Sequence, residues 1–172
     1  MEVYKAIYGR KSVRSFDEVR DISQEIIMKL LRAACQAPSA GNLEPWRFLV
    51  VRDIKLKEKL VDAALGQAFL AQAPVVIIVC ADLRVASSGY GTRGTHLYAV
   101  QDTAAATENL LLAAYAEGLG SCWVGAFDEQ RAVEALSLPS HLRLVIMVAL
   151  GYPHLEGHKP PRRDISEVTK FL

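Results

Sequence analysis

Along this chain, apolar residues three and four positions apart mark helices, and continuous apolar runs bounded by turn residues mark strands. Glu2–Gly9 reads as a short helix with Val3, Ala6 and Ile7 on one face. Ser23–Ala37 reads as a longer one, with Ser23 in capping position and Ile26, Ile27, Leu30, Leu31 and Ala34 forming a stripe to be buried. Arg47–Val51 reads as a strand, Asp53–Ala64 and Gly66–Ala71 as two helical pieces, and Val75–Ala81, behind Pro74, as a buried strand. Asp82–Thr95 is polar and carries glycines, which predicts a loop. Asp102–Glu117 is a helix ended by Gly118, and the run Leu110–Ala114 leaves little of its second half polar, so burial on nearly all sides is expected. Cys122–Ala126 and Arg143–Leu150 read as strands, with a helix over Asp128–Leu136 and Pro139 in the connection. The order is mixed α and β, without regular βαβ alternation.

The 172 residues fit one domain spanning 1–172, with neither an internal repeat nor a linker. Hydrophobic residues are 51% and charged residues 23%, and a formal net charge of +1 provides no global field for nucleic acid or an anionic membrane. Any anion site must therefore be a local cluster. Cys35, Cys80 and Cys122 stand in apolar surroundings without a CxxC pair, the pattern of reduced, buried thiols in a cytoplasmic protein, with no metal and no disulfide framework. The first residues include acidic and basic side chains where a signal peptide needs an apolar core, and no apolar run reaches membrane-spanning length. A soluble, intracellular protein is expected.

Two motifs carry less than they promise. Gly89, Gly91 and Gly94 spell GxGxxG, but Asp82–Ser88 intervenes after the preceding strand, and the acidic residue sought about 20 positions on falls at Glu117, near a helix end. His154 and His158 stand four apart around Glu156, yet Pro153 and Gly157 argue against a helix that would aim them at one metal.

Other segments are better placed for chemistry. Gln36–Asp53 stops a helix at Pro38, runs through small or rigid residues, and enters a strand. Gly41 and Asn42 there tolerate unusual backbone angles, and Pro45 predicts an extended Glu44. Arg10, Ser12 and Arg14 alternate, so in an extended segment they point to one side over about 13 Å and suit a long anionic ligand, with Lys11 directed elsewhere. Lys159, Arg162 and Arg163 form a second basic group in a proline-stiffened stretch. Gly118–Phe127 surrounds Trp123 with small residues that permit close approach of a flat ligand.

RKSVR at Arg10–Arg14, PSAGNLEPW at Pro38–Trp46 and GLGSCWVGAFDE at Gly118–Glu129, in this order and with the helix QDTAAATENLLLAA, resemble the nitroreductase family of FMN-dependent oxidoreductases over nearly the whole chain. The resemblance implies an α+β fold, a mostly antiparallel sheet flanked by helices, in a homodimer holding two FMN molecules at the subunit interface. It implies that Arg10, Ser12 and Arg14 contact the FMN phosphate, ribityl chain and pyrimidine edge. Pro38, Ser39, Ala40 and Asn42 would meet the flavin of the other subunit, and Trp123, Val124 and Gly125 would face it. Arg162 or Arg163 would approach the phosphate and Gln67 the pyrimidine. The tail Asp164–Leu172, with Ile165, Val168 and Phe171 alternating, would be exchanged onto the partner. Lys11 and Glu44 depart from the arginine and glutamine often found at those places in the family. The implied activity is transfer of reducing equivalents from NAD(P)H, as electron donor, to a nitroaromatic, quinone or related small-molecule acceptor with ping-pong kinetics. No catalytic side chain beyond the flavin is needed. Reductive dehalogenation, flavin fragmentation and non-catalytic FMN binding are the alternatives on the same fold.

Overall fold

The computed structural model describes residues 2–155 and 157–172. Four strands, β1 (Trp46–Val51), β2 (Val75–Asp82), β3 (Gly120–Val124) and β4 (Leu142–Gly151), form one sheet in the order β1-β2-β4-β3, with every pair antiparallel. Among the described residues seven α-helices accompany it: α1 (Val3–Gly9), α2 (Gln24–Ala34), α3 (Ile54–Ala63), α4 (Phe69–Gln72), α5 (Leu83–Arg93), α6 (Ala99–Ala116) and α7 (Glu129–Leu136). This is the expected α+β architecture of an antiparallel sheet flanked by helices.

The central strand β2 is buried at every position because helices cover both faces of the sheet. On one face Val75, Ile77, Val79, Ile146, Val148 and Leu150 pack against α2 and α6. On the other, Val76, Ile78, Leu144, Met147 and Ala149 meet Leu60 of α3, Leu70 of α4 and Ala132 of α7. An irregularity in the β2–β4 register between Val79 and Cys80 reverses the side-chain alternation of β4, so Leu144 and Met147 share a face despite odd spacing.

Ser23 accepts a hydrogen bond from the Ile26 amide at 3.3 Å and caps α2, as its position predicts. The α6 helix places Thr103, Ala106, Thr107, Leu110, Leu111 and Ala114 in the core. Its buried threonines donate to carbonyls one turn back, Thr103 to Ala99 at 2.8 Å and Thr107 to Thr103 at 2.7 Å, which satisfies polar groups that would otherwise be costly there. The expectation of burial on nearly all sides is corrected within the single chain: Gln101, Glu108 and Ala116 are exposed, and Ala104, Ala105 and Leu112 are half-buried.

The expected Asp82–Thr95 loop is instead α5, followed by a π-helical turn over Gly94–Tyr98. Asp82 caps it, accepting from the amides of Arg84 at 3.1 Å and Val85 at 3.3 Å. The glycines of the GxGxxG pattern serve the local backbone and its packing. Gly91 takes φ +50°, and a Cβ on Gly94 would lie 2.1 Å from the Ala86 carbonyl oxygen. Gly94→Ala is therefore expected to cost about 1–3 kcal/mol as an overpacked site, read as a lowered urea midpoint with an unchanged slope.

Cys80 and Cys122 are buried as expected, but Cys35 is exposed at the end of α2. Burial pushes the Cys80 thiol up to about 12 and raises Cys122 as well. A thiol reagent is expected to titrate one cysteine in the native protein, Cys35, and all three after denaturation; two fast-reacting thiols would contradict the packing of β2 or β3. His154 and His158 lie outside helices, and Glu156 of that trio lies outside the described residues. No metal-binding cluster occurs among the described residues, and none of their helices is long and apolar enough to cross a membrane.

Candidate functional site

The segment after α1 is extended, as the alternation of Arg10, Ser12 and Arg14 requires. It runs beside the edge strand β3: Ser12 bridges Ser121, the Val13 amide donates to the Ser121 carbonyl at 2.9 Å, and Phe16 bridges Pro153. Val13 and Phe16 are buried as anchors, and Val13 packs so closely that a Cβ on Gly120 would meet its Cβ at 2.8 Å. The stretch from Gly157 to Arg162 folds back over this segment. A Cβ on Gly157 would lie 2.1 Å from the Ser12 carbonyl oxygen, and the Lys159 ammonium donates to the Tyr8 carbonyl. The two basic groups of the sequence thereby meet.

Between them lies a cleft of about 160 Å³ lined by Arg10, Ser12, Arg14, Lys159 and Arg162, together with Lys11 and His158. Lys11 was expected to point elsewhere; it lines this cleft and, with Arg10, a neighbouring one of about 240 Å³ that reaches Tyr115 and Ser121. Arg162 reaches the cleft lining and Arg163 is not among its residues. The Arg10 guanidinium is held by Glu108 of α6 at 3.4 Å, and that of Arg14 lies 6.0 Å from the centre of the Phe69 ring. Arg14 and Ser12 also come close enough to the buried Cys122 thiol to pull its pKa down, against the larger upward push of burial.

On β3, Val124 is buried against the core while Trp123 is 38% exposed, and Gly125, just past the strand, is open. Gln67 is brought to the end of this strand, its amide donating to the carbonyls of Ala126 and Ala64, both at 3.0 Å. The loop and helix carrying Gln67 and Phe69 are fixed from below by Lys57, a buried ammonium that donates to the carbonyls of Ala71 at 3.0 Å and Ala73 at 2.7 Å. Burial pushes Lys57 below the usual lysine range, against the opposing charges of Glu18, Asp21 and Asp53.

The Pro38–Asn42 group stands apart. It precedes β1, at the opposite edge of the sheet from β3, three strand spacings or about 14 Å away. Pro38, Ser39 and Ala40 line an open groove with Tyr98, Gln101, Asp102 and Ala105, and this groove shares no residue with the basic clefts. Gly41, Asn42 and Glu44 have φ of +57°, +54° and +49°. Glu44 is thus left-handed, where Pro45 had predicted extension; the Ser39 hydroxyl accepting from its amide at 3.0 Å holds it so. The Ala40 amide donates to Asp102 at 3.0 Å. Asp102 and Glu108 were missed in the sequence, where their one signal is a carboxylate on an otherwise apolar helix.

The sequence profile of the Nitroreductase family matches residues 7–69 and 63–152, which contain the extended basic segment, the turn and β3. The chain belongs to the nitroreductase family. A protein of Archaeoglobus fulgidus, provisionally named an NADH dehydrogenase/NAD(P)H nitroreductase, is 41% identical over 88% of this chain and 86% of its own length. The FMN reductase [NAD(P)H] of Bacillus subtilis is 29% identical over 94% of the chain and 70% of its own. Among solved structures, nitroreductase A from Vibrio parahaemolyticus superimposes with a TM-score of 0.90 at 26% identity, covering 99% of this chain and 76% of that one. The nitroreductase family also includes relatives with other reactions in their names, an iodotyrosine deiodinase of Thermotoga neapolitana at 29% identity and a 5,6-dimethylbenzimidazole synthase of Rhodospirillum rubrum at 31%.

Proposed function

We propose that this chain passes reducing equivalents from NAD(P)H, by way of bound FMN, to nitroaromatic, quinone or related acceptors. It is an oxidoreductase by family, and FMN and NAD(P)H are the cofactor and donor that its relatives' names carry. The observation that carries the reading is the basic cleft built on the extended segment that bridges β3 at Ser121. Several cationic side chains and a serine hydroxyl converging on a small cleft suit a dianionic phosphate, and the donor set fits FMN. When bound, FMN supplies the electron transfer chemistry. Arg10, Ser12, Arg14 and Arg162 would hold its phosphate and ribityl end, with Arg163 the less favoured of the two late arginines. Trp123, Val124, Gly125 and Gln67 would border the ring.

In this reading the molecule works as a homodimer. Pro38, Ser39 and Ala40, with Asn42 beside them in the turn, line a groove that shares no residue with the basic cleft, and in this reading a second copy brings them to its ligand. The exposed Val3, Tyr4, Ile7 and Tyr8 of α1, and Ile165, Val168 and Phe171 of the tail, are the apolar surface such a copy would cover. Three cysteines without a disulfide between them support a cytoplasmic setting for this reading.

The purified protein is expected to show flavin absorption bands and to oxidise NADH or NADPH. Donor and acceptor would take turns on one ring face, giving parallel double-reciprocal lines with several acceptors. Intersecting lines would overturn the shared face, and the absence of flavin uptake would overturn the assignment. An acceptor panel that includes a halogenated phenol separates this reading from dehalogenation.

A further inference from the structure

We propose that Asp102 is the positioning residue for the Pro38–Glu44 turn, holding the turn's backbone against α6 in the conformation that meets the flavin. This rests on the reading of that turn as a flavin contact. The turn does not specify its own place. Its internal hydrogen bonds, Asn42 amide to Ser39 carbonyl at 3.0 Å, Leu43 amide to Ala40 carbonyl at 3.2 Å and Glu44 amide to Ser39 hydroxyl at 3.0 Å, are all local. They would survive a rigid displacement of the whole turn. Two of its non-glycine residues, Asn42 and Glu44, are left-handed, a conformation that persists when surroundings enforce it.

The bond from the Ala40 amide to the Asp102 carboxylate joins residues 62 apart and anchors the turn to the longest helix of the fold. Asp102 is only 8% exposed and lines the same groove as Pro38, Ser39 and Ala40. A buried carboxylate is costly unless bonded, and burial pushes this one up against the lowering effect of the Ala40 bond. The same helix, two turns on, carries Glu108, which orients Arg10 of the basic cleft. Helix α6 thus fixes one group from each half of the site, Glu108 the Arg10 guanidinium and Asp102 the backbone of the turn.

The test uses the full chain with Asp102→Ala and Asp102→Asn. Three quantities are read: hydrogen exchange at the Ala40 amide in flavin-free protein, FMN affinity by fluorescence titration, and the visible circular dichroism of bound flavin. Asp102→Ala is expected to speed Ala40 exchange and raise the FMN Kd, each by about tenfold or more, and to alter the dichroism. Asp102→Asn retains an acceptor oxygen and is expected to stay within about threefold of the parent. Unchanged exchange and affinity in Asp102→Ala overturn the proposal, as does Asp102→Asn as impaired as Asp102→Ala. A lowered melting temperature with normal affinity and dichroism would show a purely structural role and overturns it too. If Asp102→Ala does not fold, Asp102→Asn decides alone, since parent-like protection and affinity without the charge support the hydrogen-bond role and loss of either overturns it. A parent protein that takes up no FMN shows the flavin reading itself to be wrong before any variant is made, and the proposal falls with it.

Discussion

Changing Arg10 and Arg162 together to alanine is expected to weaken FMN binding by about 100-fold or more while leaving riboflavin binding nearly unchanged. Each hydrogen bond to a charged group is worth about 1.5–3 kcal/mol, and about 1.4 kcal/mol is a factor of ten in affinity. Both residues line the cleft, and neither contributes its side chain to the buried core. Riboflavin has the ring and ribityl chain but no phosphate, so a loss confined to FMN places these arginines on the phosphate. A parallel loss for both ligands would instead show a collapsed cleft. Removing Arg10 also releases Glu108, which would then present an uncompensated carboxylate to the incoming phosphate. Arg10→Ala alone is thus expected to cost more than Arg162→Ala. Lys11 provides the internal comparison: it lines the same cleft as a point charge without the planar fork of arginine, and Lys11→Ala should cost less than either. Equal losses at all three positions would mean that the cleft acts as a diffuse field, with an affinity falling steeply as salt rises.

Removal of Asp164–Leu172 is expected to loosen a dimer by about 100-fold or more, measured by sedimentation across a concentration series, and to weaken FMN with it. Phe171 is 95% exposed, Ile165 74% and Val168 60% in the isolated chain. Burying a side chain of this size is worth about 1.5–3 kcal/mol, so three of them outweigh the ordering of a short tail that already has a 3₁₀ turn at Ile165–Glu167. That turn is capped by Asp164, which accepts from the Ser166 amide at 2.8 Å. Flavin affinity should follow because the turn at Pro38–Asn42 would reach the basic cleft from a second copy. A flavin-bound monomer at low micromolar concentration would contradict the two-chain site. Retention of both dimer and flavin after deletion would show that the tail covers nothing.

Much of the fold could be read along the chain because burial imposes a period on the residues that carry it. The stripe of α2, the capping serine, the continuous apolar run of β2 and the close of α6 at Gly118 all follow from that constraint. The candidate site was legible in part for a different reason: Arg10, Ser12 and Arg14 alternate in an extended segment, and all three line one cleft, although Lys11 between them lines it too. Where local composition and tertiary packing disagree, the sequence misleads. Asp82–Thr95 has the serines and glycines of a loop, yet most of it is helical because Asp82 caps it and Gly94 lets the Ala86 carbonyl approach.

Periodicity along the chain determined most of the elements, α5 excepted, and motifs read in line carried the resemblance to the family, which in turn implied the antiparallel α+β class. Tertiary structure alone decided that Lys159 and Arg162 close over Arg10, that Lys11 shares their cleft, and that Arg162 rather than Arg163 reaches it. It also decided that Asp102 and Glu108 turn toward the two halves of the site. These juxtapositions join residues 62 to 152 positions apart, set by strand order and by how helices pack on the sheet. A side chain's local sequence carries no record of a partner brought to it by the rest of the fold.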